Sequence, residues 1–353
     1  MNDMQIYYNS SLKPFHTFSI NQTADVIIEV FSVEEVKDVF RNDKWRGLPK
    51  LVLGKGSNVL FTEHYRGVVI INRIMGINVR EDDSFYYLNV AGGEDWPLLV
   101  EHTVKKGIAG LENLAMIPGC VGSAPVQNIG AYGLEFKDIC EYVEYVNTET
   151  QDMVQLSARE CQFGYRDSVF KHSLKTKAFV TSVGLKVSKR YVPLLDYGPL
   201  RSLASDSSCQ KIFDVICKVR SEKLPDPIVS GNAGSFFKNP VVTSDRFDLL
   251  RQQYPDIVHY HTSNGMKLAA GWLIEQCGLK GLCIGGAKVH PKQALVLVNE
   301  NNATSADVIN LALHVRSQVY ERYGVMLEHE VRFMGETGEV FLDKFMDSKI
   351  ERS

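Results

Sequence analysis

The feature that most restricts this chain is the run Ile117-Pro118-Gly119-Cys120-Val121-Gly122-Ser123-Ala124-Pro125-Val126-Gln127-Asn128-Ile129-Gly130-Ala131-Tyr132-Gly133. Its glycines at 119, 122, 130 and 133 and its alanines at 124 and 131 make it a poor helix or strand. It suits a backbone laid against something flat and anionic, with N–H groups as donors. Gln127 and Asn128 add amides of the kind that meet the edge of a heteroaromatic ring. The alternative is a glycine-rich loop with a structural role only.

The remaining composition narrows the class. A length of 353 residues suggests two or three domains, each able to bury a core. A net charge of −3 implies no nucleic-acid partner. The seven cysteines form no C-x-x-C pair, which fits a reducing cytosol better than disulfides or zinc. No apolar run has membrane-spanning length, and the N-terminus lacks the apolar core of a signal peptide. A cytoplasmic protein with no membrane partner is expected.

Local signals predict the elements. Ala24 to Val30 reads as a strand, Ser32-Val33-Glu34-Glu35 as a capping box, and Val33, Val36, Val39 and Phe40 as one helical face. Leu51 to Leu53, Val68 to Ile71 and Tyr86 to Val90 read as strands, and Asp95 caps a helix with Pro97 in its first turn. Tyr142 to Asn147 and Met153 to Leu156 form a hairpin, followed by a long strand from Phe179 to Val187. Ile212 to Arg220 reads as a helix broken at Lys223-Leu224-Pro225-Asp226-Pro227, where a domain boundary is expected. Further on, Met266 to Glu275 reads as a helix, Gln293 opens a strand from Ala294 to Val298, and Ser305 caps a helix running to Tyr323. Leu327 to Phe333 reads as an alternating strand with exposed glutamates. His259 and His261 could bind a metal, but no third ligand lies nearby, and no metal site is expected.

A second glycine stretch follows the strand at Leu51: Gly54-Lys55-Gly56-Ser57-Asn58. The Gly-x-x-x-x-Gly-Lys-[Ser/Thr] spacing of a nucleoside-triphosphate loop is absent, so that chemistry is excluded. Together with the run at 117–133, this stretch resembles the FAD-binding segments of the UDP-N-acetylenolpyruvoylglucosamine reductase family. The resemblance covers nearly the whole chain and implies an α+β fold, with an FAD region of the vanillyl-alcohol-oxidase type and a C-terminal α+β substrate domain. It implies a discontinuous first FAD subdomain at 1–66 plus 325–353, a second at 67–225, and a substrate domain at 226–324.

The resemblance also implies the site residues. Gly54, Lys55, Gly56, Ser57, Asn58, Ile117, Pro118, Gly119, Gly122, Ser123, Gln127, Asn128, Gly130, Ala131 and Tyr132 match FAD-binding positions. Arg166 in Tyr165-Arg166-Asp167-Ser168 matches the family's catalytic arginine, although alone it would read as a solvated surface charge. Gly231-Asn232-Ala233-Gly234-Ser235-Phe236-Phe237-Lys238-Asn239-Pro240 is almost the family's Gly-Asn-x-Gly-Ser-x-Phe-x-Asn-Pro signature. It makes Ser235, otherwise an ordinary turn former, the proton donor. Glu330 in Leu327-Glu328-His329-Glu330-Val331-Arg332 matches the family's catalytic glutamate. Tyr197, Arg220, Lys223, Asn239, Tyr260, Lys267 and Gln293 match substrate-contacting positions, those of Arg220 and Lys223 approaching either the substrate diphosphate or the cofactor. Tyr197 also reads as a turn aromatic, and Arg220 and Lys223 as basic residues complementing a helix C-terminus. Tyr260 points to the subgroup with a tyrosine-bearing substrate loop.

The implied reaction carries hydride from NADPH, through non-covalently held FAD, to UDP-N-acetylglucosamine enolpyruvate, giving UDP-N-acetylmuramate for peptidoglycan synthesis. Arg166 and a protonated Glu330, its pKa raised by burial, stabilise the developing enolate, and Ser235 protonates carbon. A monomer is expected. Two rivals are a catalytically dead UDP-sugar-binding protein and a flavin oxidase; retention of both flavin stretches argues against the first, and the Ser235 signature with Arg166 against the second.

Overall fold

The computed structural model describes residues 3–262 and 264–346. Parts of the expected first subdomain, residues 1–2 and 347–353, lie outside the described residues. The chain divides into two compact units. The first comprises Met1–Ser10, Ala24–Lys55 and Arg66–Glu222; the second comprises Ser11–Thr23, Gly56–Tyr65 and Lys223–Ser353.

The first unit holds two sheets. One has four strands in the order Gln5–Ser11, Thr23–Val30, Tyr65–Asn72, Lys50–Leu53, the last two parallel. Helix α1 (Val33–Arg41) follows the second strand, and its Val36 and Val39 pack with Ile28, Val30, Val68 and Ile70. Ser32 caps α1 by accepting the Glu35 N–H, but the capping box is not reciprocal. The Glu35 carboxylate instead accepts the N–H groups of Phe31 at 2.6 Å and Met4 at 2.9 Å. Tying the N-terminal strand to the helix start satisfies two donors at once.

The other sheet is antiparallel, in the order Met153–Ser157, Cys140–Asn147, Ala178–Ser188, Phe85–Ala91, Ile77–Glu81. Helix α2 (Trp96–Lys105) starts at Asp95, whose side chain accepts the Leu98 N–H. Its buried Trp96, Leu99, Val100 and Val104 join the core beneath this sheet, as do Ile212 and Ile216 of helix α3 (Cys209–Lys223).

The second unit packs three small sheets with helices α4 (Ser244–Gln253), α5 (Ala270–Gln276) and α6 (Ser305–Tyr323) around one apolar core. Strands Gly231–Ser235, Val296–Asn299, Ala287–Val289 and Cys283–Ile284 form the first sheet. Val241–Val242, Gly265–Leu268 and His259–Thr262 form the second. In the third, Arg332–Met334 lies parallel to Val59–Phe61 and antiparallel to Glu339–Val340.

Three local expectations are corrected here. Met266 to Leu268 is strand and not helix; Gly265, at φ 133°, turns the chain, and Met266 and Leu268 point into the core while Lys267 points away. The helix begins only at Ala270. The cap of α6 is Thr304 in a full capping box with Asp307; Ser305 is buried, donating to the Phe61 carbonyl at 2.7 Å. The alternating strand at 327–333 shortens to Arg332–Met334, because the residues before it bond irregularly to the segment following Ser235.

Candidate active site

In the first unit the glycine-rich run folds as consecutive tight turns. Most of its N–H groups are taken up internally: Val121 donates to Glu94 at 2.8 Å, Gly122 to Gly92 at 2.8 Å, and Ser123, Ala124, Val126, Asn128 and Ile129 to carbonyls within the run. The expectation of an open row of donors is therefore corrected. The glycines serve close approach instead. An added Cβ at Gly54 would overlap Cys120 Sγ, and one at Gly122 would lie 3.0 Å from the Gly92 carbonyl oxygen. Ser123 Oγ accepts the Cys120 N–H at 3.2 Å and donates to the Cys120 carbonyl at 2.7 Å. Lys55 reaches Asp95, Nζ to Oδ2 3.1 Å, and Asp95 bridges Cys120. Gly54, Lys55, the start of α2 and the flavin-type run are thus one construction.

The second half of the run is pinned by side chains. Asn128 is fully buried in the left-handed region, φ 43°. Its amide nitrogen donates to the Gly164 carbonyl at 2.9 Å, and its oxygen accepts the Lys137 N–H at 2.9 Å. Its side chain is therefore a framework element. Tyr132 and Gly133 have φ 49° and 85° and make the two-residue turn between Gly130–Ala131 and Leu134–Glu135. Asn113, which sequence reasoning missed, is buried and donates to the Tyr132 carbonyl at 2.8 Å.

Arg166 sits directly on this run. Its backbone is left-handed, φ 54°, a conformation non-glycine residues adopt seldom and at a cost. The guanidinium Nη2 donates to the Gly130 carbonyl at 2.9 Å, and Nη1 to the Asn128 carbonyl at 3.4 Å. Lys171 donates to the Arg166 carbonyl at 2.6 Å, and the buried Ser168 donates to the Val126 carbonyl at 2.7 Å. Tyr197 is exposed and meets the Tyr132 ring edge-on, centroids 6.5 Å apart. Arg220 on α3 donates to the Met116 carbonyl at 3.2 Å, and burial lowers its pKa, opposed by a hydrogen bond with Tyr132.

In the second unit, Gly56 is buried at φ 59°, with Phe15 and His16 so close that no Cβ fits. Its carbonyl accepts the Thr17 N–H at 3.1 Å, while its own N–H meets no protein acceptor among the described residues. An orphaned buried donor in a glycine turn fits a cofactor's anionic diphosphate. Asn58 donates to the Glu330 carbonyl at 3.3 Å and accepts the Arg332 N–H at its own carbonyl at 3.1 Å.

Ser235 ends its strand. Asn232, buried, accepts the Gly234 N–H at its side chain, and Gly234 takes φ 71°. The register slips between Asn232 and Ser235, and this bulge leaves Ser235 exposed between the buried Ala233 and Phe236. Glu330, half-buried, donates its N–H to the Phe236 carbonyl at 2.8 Å, so the serine and the glutamate lie on hydrogen-bonded neighbouring segments.

The expected substrate residues of this unit fall into two kinds. Tyr260 and Lys267 are cross-strand partners, so Tyr260 lies on a hairpin strand and not on an irregular loop. Asn239 accepts the Ala270 N–H at 2.9 Å and so holds the start of α5. Gln293 donates its backbone N–H to His290 Nδ1 at 3.1 Å and accepts the Val296 N–H at 3.0 Å, forming the turn before its strand. Lys223 is the exposed last residue of α3. Among the described residues no group of three His, Cys, Asp or Glu side chains is arranged to hold a metal, and no helix is long and apolar enough to cross a membrane.

Two family models match: an FAD binding domain over residues 24–157, and the UDP-N-acetylenolpyruvoylglucosamine reductase C-terminal domain over residues 226–334. Fold and site thus define an FAD-containing oxidoreductase of α+β architecture. The reductase of that name from Vibrio cholerae is 54% identical over 98% of this chain and 100% of its own length. That from Pasteurella multocida is 54% identical, over 94% of this chain and 97% of its own. The chain belongs to the UDP-N-acetylenolpyruvoylglucosamine reductase family. The crystal structure of the Thermus caldophilus reductase superposes with a TM-score of 0.66 at 25% identity, covering 94% of this chain and 98% of that one.

Proposed function

We propose that this chain reduces UDP-N-acetylglucosamine enolpyruvate to UDP-N-acetylmuramate with NADPH, as a cytoplasmic monomer supplying cell-wall synthesis. The observation that carries this reading is the exposed Ser235 set on a bulge, with Glu330 hydrogen-bonded to the adjoining residue. When bound, FAD supplies the two-electron chemistry, passing hydride from NADPH to the terminal carbon of the enolpyruvyl group.

The protein's own groups do the rest. Gly54 to Asn58 and the backbone from Ile117 to Tyr132 hold the cofactor non-covalently. Cys120, the one cysteine in these stretches, is packed against Gly54 and Ser123, and burial raises its thiol pKa, which makes it a poor nucleophile. Arg166, oriented by the carbonyls of residues 128 and 130, stabilises the substrate carboxylate as charge develops on it. Glu330 acts protonated, because only a donated hydrogen bond, and not a second negative charge, stabilises an enolate. Ser235 gives its hydroxyl proton to the carbon beside the carboxylate. Lys223, as a nearby cation in this reading, stabilises the alkoxide left on the serine.

Tyr197, Asn239, Lys267 and Gln293 contact the substrate in this reading, Arg220 the substrate diphosphate or the cofactor, and Tyr260 assigns the chain to the tyrosine-bearing subgroup. The division into 1–66 plus 325–353, 67–225 and 226–324 is retained as a functional partition. The test is direct: the purified yellow protein, given NADPH and the enolpyruvyl sugar without oxygen, forms UDP-N-acetylmuramate. Acid precipitation releases all of the colour. Rapid oxygen consumption without sugar reduction would identify an oxidase instead.

A further inference from the structure

His329 lies between two glutamates, and nothing in the proposed reaction uses it. Both of its ring nitrogens are engaged. Nδ1 lies 2.7 Å from the Val331 carbonyl, and the Leu342 N–H points at Nε2 from 3.4 Å. Only one form satisfies both contacts: the neutral imidazole with its proton on Nδ1, donating to Val331 and accepting from Leu342. The ring stacks on Phe333, centroids 4.5 Å apart at 25°, and its backbone bridges Phe237.

The Nδ1–Val331 bond spans Glu330. That residue's N–H is tied to Phe236 and its carbonyl to Asn58. The histidine therefore closes the third side of a backbone frame around the glutamate.

We propose that His329 is a positioning residue for Glu330, its neutral ring clipping Val331 to the Leu342 segment and so fixing where the carboxyl group points. This rests on the reading of Glu330 given above. Burial lowers the ring's pKa and favours the neutral form; the Val331 contact opposes this. The charged groups facing the ring are Lys238 and Arg316, which act with burial, and Glu339, which acts against it. Lys238 is paired with Glu328 and Arg316 with Asp343. A second proton, on Nε2, would face the Leu342 N–H and open that side of the frame.

The experiment uses the FAD-loaded full chain in anaerobic stopped flow, with NADPH for the reductive half and UDP-N-acetylglucosamine enolpyruvate for the oxidative half. His329→Phe keeps the stack and removes both ring bonds. His329→Asn keeps a donor for Val331, and His329→Gln keeps only an acceptor for Leu342. The Phe and Gln variants should reoxidise roughly tenfold more slowly, as loss of one positioning hydrogen bond allows, with bleaching by NADPH unchanged. The Asn variant, which keeps the Val331 bond but not the Leu342 contact, should recover only part of the rate. The lead of the wild type over the Phe variant should shrink only as pH falls below the ordinary histidine range, because burial lowers the ring's pKa. Wild-type reoxidation in the Phe and Gln variants, while Glu330→Gln is slow, overturns the role of His329 alone. Wild-type reoxidation in Glu330→Gln overturns the reading of the glutamate, and this proposal with it. If the Phe variant does not fold, the Asn and Gln pair decides by the same criterion.

Discussion

Lys267 faces Tyr260 across the hairpin, its Nζ 5.8 Å from the centroid of the tyrosine ring. Tyr260 is 41% exposed, and a cation beside it suits the proposed contact with an anionic substrate. Tyr260→Phe removes the hydroxyl and keeps the ring. Loss of its hydrogen bond to substrate should weaken binding by about 0.5–1.5 kcal/mol. Steady-state kinetics checks this: Michaelis constants at wild-type values for both NADPH and the UDP-sugar would remove Tyr260 from the substrate surface.

Gly54 and Cys120 test the packing of the cofactor loop. Because a Cβ at 54 would overlap the cysteine sulfur, Gly54→Ala should cost about 1–3 kcal/mol and lower the flavin content of the purified protein. Cys120→Ala removes that sulfur, so the double variant should regain stability and colour relative to Gly54→Ala. Thermal melts and flavin absorbance measure both. Equal losses in the single and double variants would mean that the glycine is needed for the cofactor itself.

His16 sets a pH dependence. It lies under Gly56, buried, with Nε2 3.1 Å from the Ile20 carbonyl and, among the described residues, no partner for Nδ1. Burial pushes its pKa down from 6.5 to about 4, the Ile20 bond acting in the opposite direction. The folded pKa is below the unfolded one, so the contribution is complete above about pH 6.5 and is lost as pH falls toward 4. Between pH 7 and pH 5 the wild type should lose about 2 kcal/mol more than His16→Gln, which has no ring to titrate. Urea unfolding at the two pH values checks it; parallel losses in both proteins would assign the acid sensitivity to other groups.

Some local chemistry was legible in the sequence where a single residue carries it. Asp95 caps its helix, Gly324 ends α6 at φ 62°, and the strand pairs at 142–157 and 85–91 follow their alternation. What escaped was pairing at a distance. Met266 and Leu268 have helical neighbours in sequence, but strands on both sides recruit them. Residues 11–23 carry no clear period, yet Thr17 donates to the Asn232 carbonyl at 2.6 Å and accepts that residue's N–H at its own carbonyl at 3.0 Å, tying this segment to the Ser235 strand. No local pattern forecasts such a contact. The signature around Ser235 was legible as a motif, while the bulge that exposes the serine needed the register slip and the positive φ of Gly234.

Ser235 is the centre of the proposed reaction, and Ser235→Ala in anaerobic stopped flow tests that role most directly. Bleaching of the flavin by NADPH needs no proton from this serine and should keep its wild-type rate. Reoxidation by the enolpyruvyl sugar does need one, and a well-placed acid contributes about 10²- to 10⁴-fold, so this half should slow by at least that range. That corresponds to roughly 3–5 kcal/mol of transition-state stabilisation. Ser235→Cys should recover part of it, since a thiol also donates. Reoxidation of the alanine variant at the wild-type rate would contradict the account and leave Ser235 a turn residue. Failure of the bleaching step instead would place the serine in cofactor geometry and not in proton transfer.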